Sequence, residues 1–128
     1  MSRYRTPLKD ARGLGSAKHG TGHFFSIRLT SLALVPLGLW FLFFVVSLLQ
    51  ADYLTATDAV ARPWNAIFLI AFLVATFWHT QQGLQVLIED YMLHAGLARA
   101  SQVSVYVICV LCALASVFAV VRIALGGA

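Results

Sequence analysis

Read as apolar and polar positions, the chain opens on a polar stretch over residues 1–22 and then runs through three long apolar segments, 24–49, 64–88 and 103–125. Charge inside these segments is confined to their ends: Arg28 near the start of the first, none in the second, Arg122 near the end of the third. A helix needs about 20 residues at 1.5 Å rise to cross the hydrocarbon core, and each segment is long enough. Backbone amides in lipid have no water to bond, so each segment must satisfy them internally, which predicts helices. The alternating segments of roughly ten residues that build a closed β-barrel are not visible. The pattern predicts an all-α membrane protein with three transmembrane helices, spanning about 24–49, 64–90 and 103–125 in a single domain over 24–128.

The connectors carry interface residues. Residues 50–63 hold Asp52, Tyr53, Asp58 and Arg62, and Trp64 follows; such aromatics settle at the headgroup level. Thr57 or Asp58 is expected to cap a short surface turn. Pro63 suits a helix start, because the donor it lacks would be unpaired there anyway. Residues 91–101 hold His94, Gly96 and Arg99, with Gly96 placed to stop the second helix. Pro36, in mid-span, is expected to kink the first helix.

Composition agrees with lipid as the solvent. Of the 128 residues, 60% are hydrophobic and 11% charged, against roughly 25% charged in ordinary globular domains. The mean hydropathy of +0.83 points the same way, and a soluble domain of this size cannot hide so much apolar surface. The net charge of +4 is a topology signal: six of the nine cationic residues fall at or before Arg28. No nucleic-acid motif or aromatic-basic interleaving accompanies them, so no nucleic-acid partner is expected. Counting Lys and Arg, the first stretch and second connector hold seven, while Arg62 and Arg122 make two on the other side. This predicts a cytoplasmic N-terminus and a periplasmic C-terminus. Residues 1–23 read as a polar, basic arm of the mature protein, since a signal peptide would carry its apolar core nearer the start. A mitochondrial presequence is the alternative for this Arg-rich arm. Cys109 and Cys112 lie inside the third apolar run and read as small apolar packers.

Candidate chemistry concentrates on the second helix. If that helix starts at Trp64, His79 lies about 22 Å along it, inside the hydrocarbon, and Asp90 about 16 Å further, near the inner interface. The spacing puts His79, Gly83, Val86 and Asp90 on one face. An imidazole in lipid is costly unless hydrogen-bonded or metal-bound. Two readings stay open: a helix–helix hydrogen bond worth about 0.6–2 kcal/mol, or an axial ligand to haem iron. Gly83 leaves room for a flat macrocycle or for another helix. Gln81, Gln82 and Gln85 suggest that this helix faces protein. His19 and His23 lie in the arm and His94 in a connector, so a bis-histidine haem needs a second chain or a second copy. Tyr91 is either an interfacial belt residue or, beside Asp90, a hydrogen-bond donor to a quinone carbonyl. Arg28 either snorkels to the inner headgroups or pairs with haem propionates. Glu89 is expected to face water.

The run HTQQGLQVLIEDY from His79 to Tyr91 resembles the H-x-x-x-G-x-x-x-x-x-x-D-Y signature of the succinate dehydrogenase hydrophobic membrane anchor subunits. Gly15-Ser16-Ala17, His23 and Arg28-Leu29-Thr30 also look like the bacterial members. The resemblance covers nearly the whole chain. It implies that His79 is an axial ligand of haem b, with a partner cytochrome b556 anchor subunit supplying the other. It further implies that Tyr91 hydrogen-bonds ubiquinone with Asp90 beside it, and that Arg28 lies near the haem propionates. His23 receives no role. The implied partners are that second anchor, an iron-sulfur subunit, a flavoprotein that oxidises succinate, quinone and membrane lipid, in the bacterial inner (cytoplasmic) membrane. This chain carries no flavin motif and no cluster-binding cysteine set, so by this reading it is not an enzyme alone. A fumarate reductase-type anchor is the nearest alternative. A small transporter subunit using His79 as a proton relay is another, although the acidic residues all fall at predicted interfaces. A purely structural bundle is the third.

Overall fold

The computed structural model describes Leu8 and residues 20–126. Most of the basic arm, including His19, lies outside the described residues. Four helices follow in order: α1 (Gly20–Ser47), α2 (Tyr53–Ala61), α3 (Pro63–Tyr91) and α4 (Ala95–Ala124). Three are long and apolar enough to cross a membrane: Phe24–Ser47 within α1, then α3 and α4. There is no strand among the described residues.

Local chemistry explains the boundaries. α1 continues through Pro36; the proline ring removes one ladder bond, a loss that membrane helices tolerate. The first connector folds as α2. Its cap is Asp52, not Thr57 or Asp58: Asp52 has extended backbone and its carboxylate accepts a hydrogen bond from the Thr55 amide at 3.3 Å. A short side chain at that position reaches a donor the first helical turn leaves unpaired. The hydrogen bonds to Thr55 hold the Asp52 carboxyl below the usual aspartate range. Thr57 sits inside α2, its hydroxyl donating back to the carbonyls of Tyr53 and Leu54 at 3.0 and 2.9 Å. Pro63 opens α3 as expected. Asn65 ties the two helices together by donating to the Ala59 carbonyl at 2.8 Å.

The second connector is shorter than its polarity suggests. α3 ends at Tyr91, where the Met92 amide donates to the Ile88 carbonyl at 3.1 Å. α4 starts at Ala95, so Gly96 lies in its first turn and does not stop α3. Hydropathy marks where lipid begins, whereas Ala, Leu and Arg are good helix formers on either side of that boundary. At the far end of α4 the chain leaves through Gly126 at φ 79, a left-handed conformation that glycine adopts without steric penalty.

α3 is the central element. α1 packs on one side of it and α4 on the other, without an α1–α4 backbone contact among the described residues, while α2 leans on α3 and α4. The α1–α3 seam has two halves. Toward α2 it is aromatic: Phe41 stacks on Phe72 with ring centroids 4.4 Å apart, and Trp40 packs against Phe44 and Phe68, each at 5.2 Å. These rings close over the small apolar core of Ala66, Leu69 and Val120. Toward the start of α1 and the end of α3 the seam becomes polar.

Candidate functional site

That polar half is built from two α1 hydroxyls and three α3 side chains. Ser26 and Thr30, four residues apart, share one face of α1. Across the seam, His79 Nδ1 lies 3.0 Å from Thr30 Oγ1. One turn further along α3, Gln82 Nε2 donates to Ser26 Oγ at 2.7 Å, and Trp78 Nε1 donates to the same oxygen at 3.3 Å. Gln82 is buried, at 6% exposure, and its carbonyl oxygen Oε1 has no protein partner among the described residues. Thr30 Oγ1 also lies 3.0 and 2.9 Å from the carbonyls of Ser26 and Ile27. The patch therefore holds His79, partly buried, against α1 by one ring nitrogen.

Beyond the seam, the His79 face of α3 is open. Gly83, Val86 and Asp90 are all exposed. A methyl group at Gly83 would meet no atom of the described chain within 4 Å. At the helix end Tyr91 is 79% exposed and sits beside Asp90. Glu89 does more than meet water: it accepts hydrogen bonds from Gln85 at 2.9 Å and from Gln102 of α4 at 3.1 Å. Gln81 in turn donates to Gln85 at 3.3 Å. This row of amides fixes the last turns of α3 against α4.

The remaining candidates are placed apart. Arg28 is exposed, with its guanidinium 4.4 Å from the centroid of the Phe24 ring. It is two residues from both Ser26 and Thr30, about 200° round the helix, so it lies on the face of α1 turned away from His79. His23 falls in the first turns of α1. His94 precedes α4 at its cap position and is exposed, making no capping hydrogen bond. Cys109 is buried and Cys112 exposed, both as free thiols. No group of three or more His, Cys, Asp or Glu side chains converges among the described residues. Reading the sequence missed Ser26 as a partner of the second helix and missed the part Thr30 plays beside His79. Their signal was two hydroxyls at helical spacing in an otherwise apolar span.

Three apolar helices, with a hydroxyl–imidazole–amide patch in the seam between two of them, define a multi-pass membrane protein with a polar interior contact. The model of the Succinate dehydrogenase/Fumarate reductase transmembrane subunit family matches residues 2–121, and the chain belongs to that family. It is 34% identical over 89 residues to a succinate dehydrogenase hydrophobic membrane anchor subunit of Rickettsia bellii, covering 70% of this chain and 71% of the relative. A subunit of the same name from Paracoccus denitrificans is 29% identical over 124 residues, 97% of this chain and 95% of the relative. Another, from Rickettsia conorii, is 26% identical over 117 residues, 91% and 93% of the two chains. No solved structure matches the chain significantly.

Proposed function

We propose that this chain is the membrane anchor subunit of a bacterial succinate dehydrogenase, contributing one axial ligand to haem b through His79 and part of a ubiquinone-reduction site through Asp90 and Tyr91. The supporting observation is the setting of His79: one ring nitrogen is held by α1 while the same face of α3 runs open past Gly83. The donor set fits the group. A lone imidazole beside an unobstructed glycine suits an axial ligand to a flat macrocycle, whereas a structural zinc site needs four converging donors. The bound haem supplies one-electron redox chemistry. The chain's own part is to hold the imidazole in place, through the Thr30 contact at its Nδ1.

Tyr91 and Asp90 stand at the end of the same helix, about 16–18 Å along the axis from His79. There the phenol donates a hydrogen bond to a quinone carbonyl, and the neighbouring carboxylate helps deliver a proton. A cytochrome b556-type anchor subunit would supply the other haem ligand. Succinate oxidation takes place in a flavoprotein, and an iron-sulfur subunit passes the electrons on. Both soluble subunits sit on the cytoplasmic side of the inner membrane, with the N-terminus of this chain. Arg28 is proposed to lie at the cytoplasmic interface; on the face of α1 turned away from His79, it snorkels to headgroups there and is not placed toward haem propionates. By this reading the chain is not a catalyst by itself. The described acidic side chains lie in α2, at its cap or in the last turn of α3, so none stands in mid-span to relay protons with His79.

Purification in mild detergent through a tag on this chain tests the assignment. The expected product contains a flavoprotein, an iron-sulfur protein and a second small membrane subunit, and reduces ubiquinone with succinate. Recovery of the chain without them contradicts it. In that complex, Tyr91→Phe is expected to cut quinone reduction at least tenfold while succinate oxidation by an artificial dye persists. Equal loss of both activities would show that Tyr91 only supports assembly.

A further inference from the structure

We propose that Thr30 is a positioning residue for His79: its hydroxyl accepts the Nδ1 proton of the imidazole and so fixes the tautomer that leaves Nε2 as the metal-binding nitrogen. The inference rests on the haem reading above and adds a residue to it. It follows from counting protons. Thr30 Oγ1 lies within 3.0 Å of three groups: the Ser26 carbonyl, the Ile27 carbonyl and His79 Nδ1. A hydroxyl carries one proton, and a carbonyl oxygen can only accept. If that proton pointed at Nδ1, the lone pairs of Oγ1 would face two carbonyl oxygens at 3.0 and 2.9 Å with no hydrogen between them. The favourable arrangement sends the Thr30 proton into the helix, shared by the two carbonyls, and the third contact must then be Nδ1–H donating to Oγ1. A neutral imidazole with a proton on Nδ1 has its lone pair on Nε2.

Thr30 suits this role for two further reasons. It is β-branched, so its rotamer is restricted in a helix, and its hydroxyl readily bonds the carbonyls three and four residues back. Its own helix therefore fixes the acceptor before the imidazole arrives. The neighbouring seam is also anchored, by Gln82 and Trp78 on Ser26, which holds α1 and α3 in register. Histidine ligands generally donate their second ring proton to an oxygen, and that bond orients the ring and raises its basicity. A more basic ligand favours ferric iron, so the Thr30 contact should lower the haem potential.

The test uses the intact complex carrying Thr30→Val, nearly isosteric but without the hydroxyl, beside Thr30→Ser, which keeps it. Flavin content and succinate–dye activity report assembly, and a redox titration of the haem bands reports the ligand. The expected result is an assembled Thr30→Val complex whose haem midpoint potential shifts upward, with Thr30→Ser restored toward wild type. Haem loss in an assembled Thr30→Val complex, with retention in Thr30→Ser, would support the role equally. A Thr30→Val complex with wild-type haem content and potential would overturn it, as would identical behaviour of the Val and Ser variants. Haem absent from the wild-type complex, or an unchanged spectrum in His79→Ala, would instead remove the axial assignment beneath it.

Discussion

Ser26 accepts two hydrogen bonds from α3, and one comes from the most buried polar side chain described, Gln82. Gln82 Oε1 is already without a protein partner among the described residues, so the Ser26 bond secures the remainder of the amide. Losing a partner inside a low-dielectric seam costs more than the bond's net worth, because the orphaned group stays desolvated. Ser26→Ala is therefore expected to destabilise the helical unit by about 1–2 kcal/mol, read as a lower unfolding midpoint in detergent. Ser31 makes a control on the same helix: its hydroxyl only donates back to the Ile27 carbonyl. Ser31→Ala is expected to change stability by less than about 0.5 kcal/mol. Equal effects of the two substitutions would show that the seam does not depend on its polar contacts.

At the scale of elements, α3 divides its surface between two neighbouring helices and one open strip. Gly83 lies on that strip, where an added Cβ would meet no atom of the described chain within 4 Å. Gly83→Leu should leave the three-helix unit intact and improve helix propensity by roughly 0.5–0.8 kcal/mol. In the assembled complex the same substitution is expected to lower the haem-to-flavin ratio, because the added bulk enters the space beside His79. Full haem and normal assembly would mean that the strip faces lipid. The elements also show what could be read from the chain. Three spans were legible because lipid imposes length and polarity on each independently. That His79, Gly83, Asp90 and Tyr91 lie along one helix was legible, because its period fixes their relative placement. α2 was not, since nine residues capped by Asp52 look like a polar connector until the Thr55 amide is seen to use that carboxylate. The early start of α4 was hidden because hydropathy locates the membrane and not the helix. The pairing of Thr30 with His79 depends on how α1 crosses α3, which no spacing within either segment specifies.

Among the described residues α3 is the hub, contacting both α1 and α4, which make no backbone contact with each other. Three helices around one hub cover little of themselves: Leu32, Phe43, Phe118 and many other large apolar side chains stay exposed. In the proposed complex a second anchor polypeptide and a shared haem cover the part beside His79, and lipid covers the rest. The deciding measurement is the reduced-minus-oxidised spectrum of the purified complex, wild type against His79→Ala. The expected result is a b-type α-band in the wild type and its loss or displacement in the variant, with flavin content preserved. A wild-type complex without that band, or a variant whose band is unchanged, would contradict it.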